Sequence, residues 1–169
     1  MIRAYRGVVP KIAASAYIDQ SAQVIGDVAV GERSSIWPNV TARGDVNYIR
    51  IGDETSIQDN SVLHVTRELG VTLEDEVSVG HQATVHACYV ERGALIGIGA
   101  IVLDGARIGA QSLIAAGALV TPRTVVPPRS LVMGSPAKVK RELNAEELAL
   151  LEARWRGYVE LAKEYKNSG

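Results

Sequence analysis

The chain is 169 residues long, about the size of one domain, and its 18 Lys and Arg nearly cancel its 19 Asp and Glu. A formal net charge of −1 provides no field for nucleic acid or an anionic membrane, and no stretch approaches the roughly 20 uninterrupted apolar residues that span a bilayer. Its one cysteine, Cys88, excludes an internal disulfide, and no charged-then-apolar run follows Met1, so a soluble cytoplasmic protein is expected.

Residues 1–14 read as an N-terminal segment. From there to residue 137 an aliphatic side chain recurs every six positions: Ile18, Val24, Val30 and Ile36; then Ile51, Ile57 and Leu63; then Leu73, Val79 and Val85; then Val90, Ile96, Val102, Ile108, Ile114, Val120, Val126 and Val132. Six fits neither an amphipathic helix nor a hairpin series, and being even it keeps every marked residue on one side of an extended chain. Three flat sides of six residues form a triangular coil with aliphatics inside and glycines near corners, and the 18 marked positions make about six coils. This pattern resembles the hexapeptide-repeat proteins. The resemblance, and not the period, implies a left-handed parallel β-helix, an exception to the right-handed crossover rule.

Within the coil, Arg43-Gly44-Asp45 occupies a 15-residue gap between Ile36 and Ile51, where a loop interrupts the repeat. Gln58 follows inward Ile57 and so points outward, one coil below the side that carries His81. His64 follows inward Leu63 and His86 follows inward Val85, so both point outward from equivalent positions. The interval between them is one 18-residue coil plus four residues, most simply a loop at 66–71, which stacks the two histidines on adjacent coils. Parallel strands lie about 4.8 Å apart, so stacked imidazoles can converge on one metal. His81, two places after Val79, lies around a corner from the other two and more naturally reaches a neighbouring subunit. Two stacked histidines from one chain and one from the next would give three equivalent sites in a homotrimer, each leaving a tetrahedral metal one open position. The plain alternative for any single histidine is a surface hydrogen-bonding role.

Beyond the coil, residues 138–169 read as a linker and a C-terminal helix of about twenty residues. Asn144 and Glu147 form a capping signature, and Leu148, Leu151, Trp155, Val159 and Ala162 recur at helical spacing, a face expected to pack along a flank of the coil.

Arg43-Gly44-Asp45, Ile57-Gln58-Asp59-Asn60, His64, and His81 with His86 five residues on together resemble the γ-class carbonic anhydrase family. That resemblance implies that His64, His81 and His86 ligate the metal, with His81 contributed across the interface. It also implies that Arg43 and Asp45 link subunits beside the site and that Gln58 hydrogen-bonds metal-bound solvent. Metal-bound hydroxide would then hydrate carbon dioxide to bicarbonate. Zinc is the default metal, although three imidazoles also suit iron, cobalt or nickel. The chain departs from the family pattern at Val46, where an acidic residue is expected, and the long acidic proton-shuttle loop is replaced by short Thr66-Arg67-Glu68-Leu69-Gly70, so slow or absent hydration is expected. Two further readings share the fold: an acyl-CoA-dependent acyltransferase or thioesterase, suggested by Gly134-Ser135-Pro136-Ala137-Lys138, and a non-catalytic metal-binding accessory protein. Cys88, two residues after His86, is expected to be a core residue and not a nucleophile.

Overall fold

A computed structural model describes residues 1–168 as a parallel β-solenoid of about seven coils followed by one helix. Three ladders of short parallel strands form its sides. The first stacks Val62–His64, Thr84–His86, Ile101–Val102 and Leu119–Val120 in that order. The second stacks Val71–Leu73, Tyr89–Val90, Arg107–Ile108 and Val125–Val126. Two long strands, Gln23–Val30 and Thr41–Ile51, turn the corner between these sides and belong to both. The third side runs from Tyr17–Ile18 through Ser35–Ile36, Ser56–Ile57, Ser78–Val79, Leu95–Ile96 and Leu113–Ile114 to Ser130–Gly134.

Every residue marked by the six-residue period is buried except Ile18, which is partly buried near the first coils. Their even spacing puts them all inside, and the branched aliphatics Val and Ile suit the narrow core and the extended backbone. The gap in the period is narrower than it reads. Ala42 keeps the six-residue step from Ile36, is fully buried, and pairs in register with Val24 and Leu63. Ladder pairs Gly26 with Gly44 and Val28 with Ile49 leave Asp27 alone opposite Asp45, Val46, Asn47 and Tyr48, a bulge that resets the phase before Ile51.

Three further differences from the sequence reading have local causes. Ile2–Arg3 and Lys11–Ile12 pair with Gln23–Val30 and continue the coil towards the N-terminus, so there are about seven coils and not six. Their phase is hidden by the tight Tyr5–Val8 bridge, and Ile2 stays exposed on the outermost turn. Corners are not reserved for glycine: Asn60 and Gln82 adopt φ of 61° and 58°. The cost of that left-handed backbone is offset by tethers to neighbouring coils, such as the Gln82 N–H donated to the Asp59 carbonyl at 2.9 Å. Finally, Ala137–Glu142 is no linker but an antiparallel strand on Ser130–Gly134, so Gly134-Ser135-Pro136-Ala137-Lys138 forms a hairpin with a cis Ser135–Pro136 peptide.

The helix, Ala145–Ser168, begins at a reciprocal cap: Asn144 Oδ1 accepts from the Glu147 N–H and Glu147 Oε2 accepts from the Asn144 N–H, both at 2.9 Å. Leu151, Trp155 and Ala162 are buried and the helix lies along the early strands of the third side. There Tyr158 and Tyr165 meet the Trp37 ring edge-on. No helix among the described residues is long and apolar enough to cross a membrane.

Replacing Asn144 by Ala is expected to lower unfolding free energy by about 1 kcal/mol in urea titration. The cap also has a pH signature. Hydrogen bonds from Arg141 and then from the Asn144 backbone lower the Glu147 carboxyl from 4.5 to about 2. Its contribution is therefore complete above pH 4.5 and lost as pH falls towards 2. Helical circular dichroism should soften in that window, and a Glu147→Gln protein should lack that component.

Candidate metal centre

Stacking places Arg43, His64 and His86 in one column on the first side, in register across three successive strands. All three side chains point away from the core because each follows an inward residue, Ala42, Leu63 and Val85. The extra residues between His64 and His86 form a turn in which Thr66 N–H donates to the Leu69 carbonyl and Leu69 N–H to Thr66 Oγ1, each at 3.0 Å. The period is thereby restored before Val71–Leu73, and the histidines come to lie one above the other. His64 Nδ1 stands 3.1 Å from His86 Nε2, with ring centroids 5.2 Å apart. Two nitrogens bound at roughly 2.0 Å to a tetrahedral metal stand about 3.3 Å apart, so this donor pair fits a divalent ion without moving the backbone.

Carboxylates from other coils flank the pair. Asp45 accepts from Arg43 through Oδ2 and faces His64 Nε2 through Oδ1 at 3.2 Å, while Asp104 Oδ1 meets His86 Nδ1 at 2.5 Å. Glycine is required between Arg43 and Asp45: a Cβ at Gly44 would sit 2.5 Å from the Asp27 carbonyl oxygen. Burial opposes ionisation of Asp45, but hydrogen bonds from Arg43 and His64 outweigh it and hold its carboxyl below the ordinary range. Burial, then the Arg43 charge, lowers His64, against an opposing pull from Asp45. His64 is therefore a neutral imidazole at neutral pH, the protonation state a metal needs.

His81 lies on the corner after Ser78–Val79, its Nδ1 2.9 Å from Asp59 Oδ2. Among the described residues of one chain, no group of three metal-capable His, Cys, Asp or Glu side chains gathers. Arg43, Asp45, His64 and His86 thus come together, whereas His81 stands on Asp59 with its neighbour Gln58 one coil below. Gln58 points outward but is buried, at 2% exposure, and its backbone N–H donates to Val79. Cys88 is buried in the core, where loss of solvent pushes its thiol up to about 12, so it is no thiolate nucleophile at neutral pH. Sequence reasoning missed the carboxylates Asp59 and Asp104 as histidine partners. The offsets were present: Asp104 is 18 residues after His86 and Asp59 is 22 before His81, the spacings of one coil without and with the four-residue turn respectively.

No family model matches the chain. It is 49% identical over 166 residues to a carbonic anhydrase of Geobacillus kaustophilus, covering 98% of this chain and 91% of that one. It is 39% identical over 160 residues to the mitochondrial gamma carbonic anhydrase 2 of Arabidopsis thaliana, covering 91% of this chain and 58% of that one. The chain belongs to the γ-class carbonic anhydrase-like family of hexapeptide-repeat proteins. A solved Bacillus cereus structure, provisionally described as an acetyltransferase, is similar at a TM-score of 0.98 and 46% identity over 99% of this chain and 98% of that one. Both names therefore occur among proteins similar to this chain.

If Arg43 helps keep His64 neutral, an Arg43→Gln protein should titrate His64 at higher pH. It loses a repelling cation and frees Asp45 to attract the imidazolium. Nuclear magnetic resonance titration of the metal-free protein reads that shift, and an unchanged or lower value would contradict the electrostatic account.

Proposed function

We propose that the protein is a homotrimeric metal-dependent carbonic anhydrase that hydrates carbon dioxide to bicarbonate. The observation that carries this reading is the convergence of His64 Nδ1 and His86 Nε2 at 3.1 Å, the spacing of two ligands on one tetrahedral ion. His64 and His86 of one protomer and His81 of the next would hold the metal, zinc by default, with iron, cobalt and nickel also suited to imidazole. A trimer follows from the two-plus-one division, because a closed ring repeats a heterologous contact whereas an isologous dimer does not. When bound, a divalent ion supplies the Lewis acidity that ionises water near neutral pH.

The chain's own groups have separate tasks. His64 is held neutral and so needs no proton removed before it can donate its lone pair. Asp45, ionised and tied to Arg43, fixes one end of the histidine column and adds negative charge beside a cation site. The Gln58 amide, adjoining the Asp59 that holds His81, would hydrogen-bond solvent or bicarbonate once a neighbouring subunit closes over the corner. Protons must then leave without a nearby fourth histidine or an acidic loop: Val46 is exposed and apolar, and the turn after His64 brings only Glu68. Proton export is therefore the step expected to limit turnover. A reducing cytoplasm suits a chain with a single cysteine.

The competing reading, an acyl-CoA-dependent acyltransferase or thioesterase, is favoured by the acetyltransferase description of the Bacillus cereus structure. A non-catalytic metal-binding accessory protein would share the donors without the turnover. Elemental analysis after zinc reconstitution should find about one metal per chain, and stopped-flow assay should show hydration rising with pH through about 7. Absence of metal sinks the proposal, metal without hydration points to the accessory role, and acetyl-CoA turnover in its place establishes the transferase.

The division of ligands has its own test. His81→Ala and His86→Ala homotrimers should each lack tight metal, whereas random mixing restores a complete donor set at about a quarter of interfaces. Differentially tagged mixed trimers that recover no metal would show that His81 does not act across the interface.

A further inference from the structure

Metal-ligating imidazoles have two nitrogens, and the group bonded to one decides which is left for the ion. In this chain the column on the first side presents His86 Nε2 towards His64, while His86 Nδ1 is held at 2.5 Å by Asp104 Oδ1. Asp104 comes from the next coil up, and its backbone is fastened from both sides. Below it, the Gly105 N–H donates to the Ala87 carbonyl at 2.7 Å; above it, the Arg123 N–H donates to the Asp104 carbonyl at 2.8 Å. The same turn closes with the Ala106 N–H on the Leu103 carbonyl at 3.1 Å. Gly105 takes φ of +69° there, a conformation that costs glycine little. The carboxylate is thus delivered to His86 by a braced corner and not by a mobile loop.

We propose that Asp104 is a positioning residue for the metal centre: it holds the His86 proton on Nδ1 and so keeps Nε2 bare and aimed at the ion. This rests on the three-histidine reading of the site. The carboxylate needs the ring N–H as its donor, because an unprotonated Nδ1 would set two lone pairs against each other at 2.5 Å. It also restrains ring rotation, and its negative charge strengthens the imidazole as a donor. His81 has an equivalent partner in Asp59, a carboxylate exposed to a similar degree, but His81 meets no second imidazole of its own chain. Asp104 acts on the histidine whose Nε2 already meets a second ligand.

The test compares full-length wild type, Asp104→Asn and Asp104→Glu. In the metal-free wild type, nitrogen-15 chemical shifts of the His86 ring should show Nδ1 protonated and Nε2 bare, with Asp104→Asn losing that preference. Zinc affinity, read by chelator competition, should fall roughly 10- to 100-fold in Asp104→Asn and recover in part in Asp104→Glu, with melting temperature and trimer mass unchanged. Equal zinc affinity in wild type and Asp104→Asn, or a wild-type His86 protonated on Nε2, overturns the proposal. If Asp104→Asn does not fold, the wild-type ring shifts and the Asp104→Glu affinity decide it. Wild type that binds no zinc defeats the three-histidine reading instead, and the ring shifts then decide alone whether Asp104 sets the tautomer.

Discussion

Parallel stacking of six-residue sides is the constraint on which the molecule depends. Each strand takes its backbone partners from the coils before and after it, so residues one coil apart are superposed whatever their chemistry. An inserted residue cannot be spread along the chain, because one unit of slip would turn the aliphatics outward. It must be expelled at a corner. Both large expulsions border the histidine column: the bulge of Asp45, Val46, Asn47 and Tyr48 carries a carboxylate to His64, and the turn after His64 keeps His86 above it. The irregular parts of the coil are therefore where its polar groups are brought together.

Much of this was legible in the sequence, because a core of one side chain per six residues writes itself directly into the period. Ile96, Val102 and Ile108 needed no knowledge of partners. Ala42 was overlooked because a small side chain between Ile36 and Ile51 leaves too weak a mark, although the backbone treats it like its larger neighbours. The first coil was hidden for another reason: an outermost turn packs on one neighbour only, and exposed Ile2 gives no periodic contrast. At the site, the column of His64 and His86 followed from counting. Their carboxylate partners did not, since an aspartate at a corner looks the same in sequence whether it caps a turn, meets solvent or holds an imidazole. Which protomer supplies a ligand is a property of packing between chains that no single-chain pattern contains.

The charge arrangement around the column is consistent with a donor site and poor as a plain ion-pair network. A buried or half-buried imidazole between carboxylates would ordinarily be expected to gain a proton. Here loss of solvent and the Arg43 guanidinium outweigh Asp45 and keep His64 neutral. Arg43 thus satisfies the Asp45 carboxylate and at the same time limits what that carboxylate does to its other neighbour. The arrangement leaves negative charge beside His64 without surrendering its lone pair to a proton.

A solenoid has two raw ends, each a row of unpaired backbone groups that could template further growth. At the C-terminal end of the third side the chain reverses, and Ala137–Glu142 lies antiparallel across the last coil. Its outward character is set by Lys138, Lys140, Arg141 and Glu142, all exposed. A second molecule approaching that rim meets a reversed strand direction and a fringe of charge in place of the next parallel rung. The hairpin made by Gly134-Ser135-Pro136-Ala137-Lys138 is therefore a terminus in the polymer sense for the third side, where it takes the place of the next parallel rung.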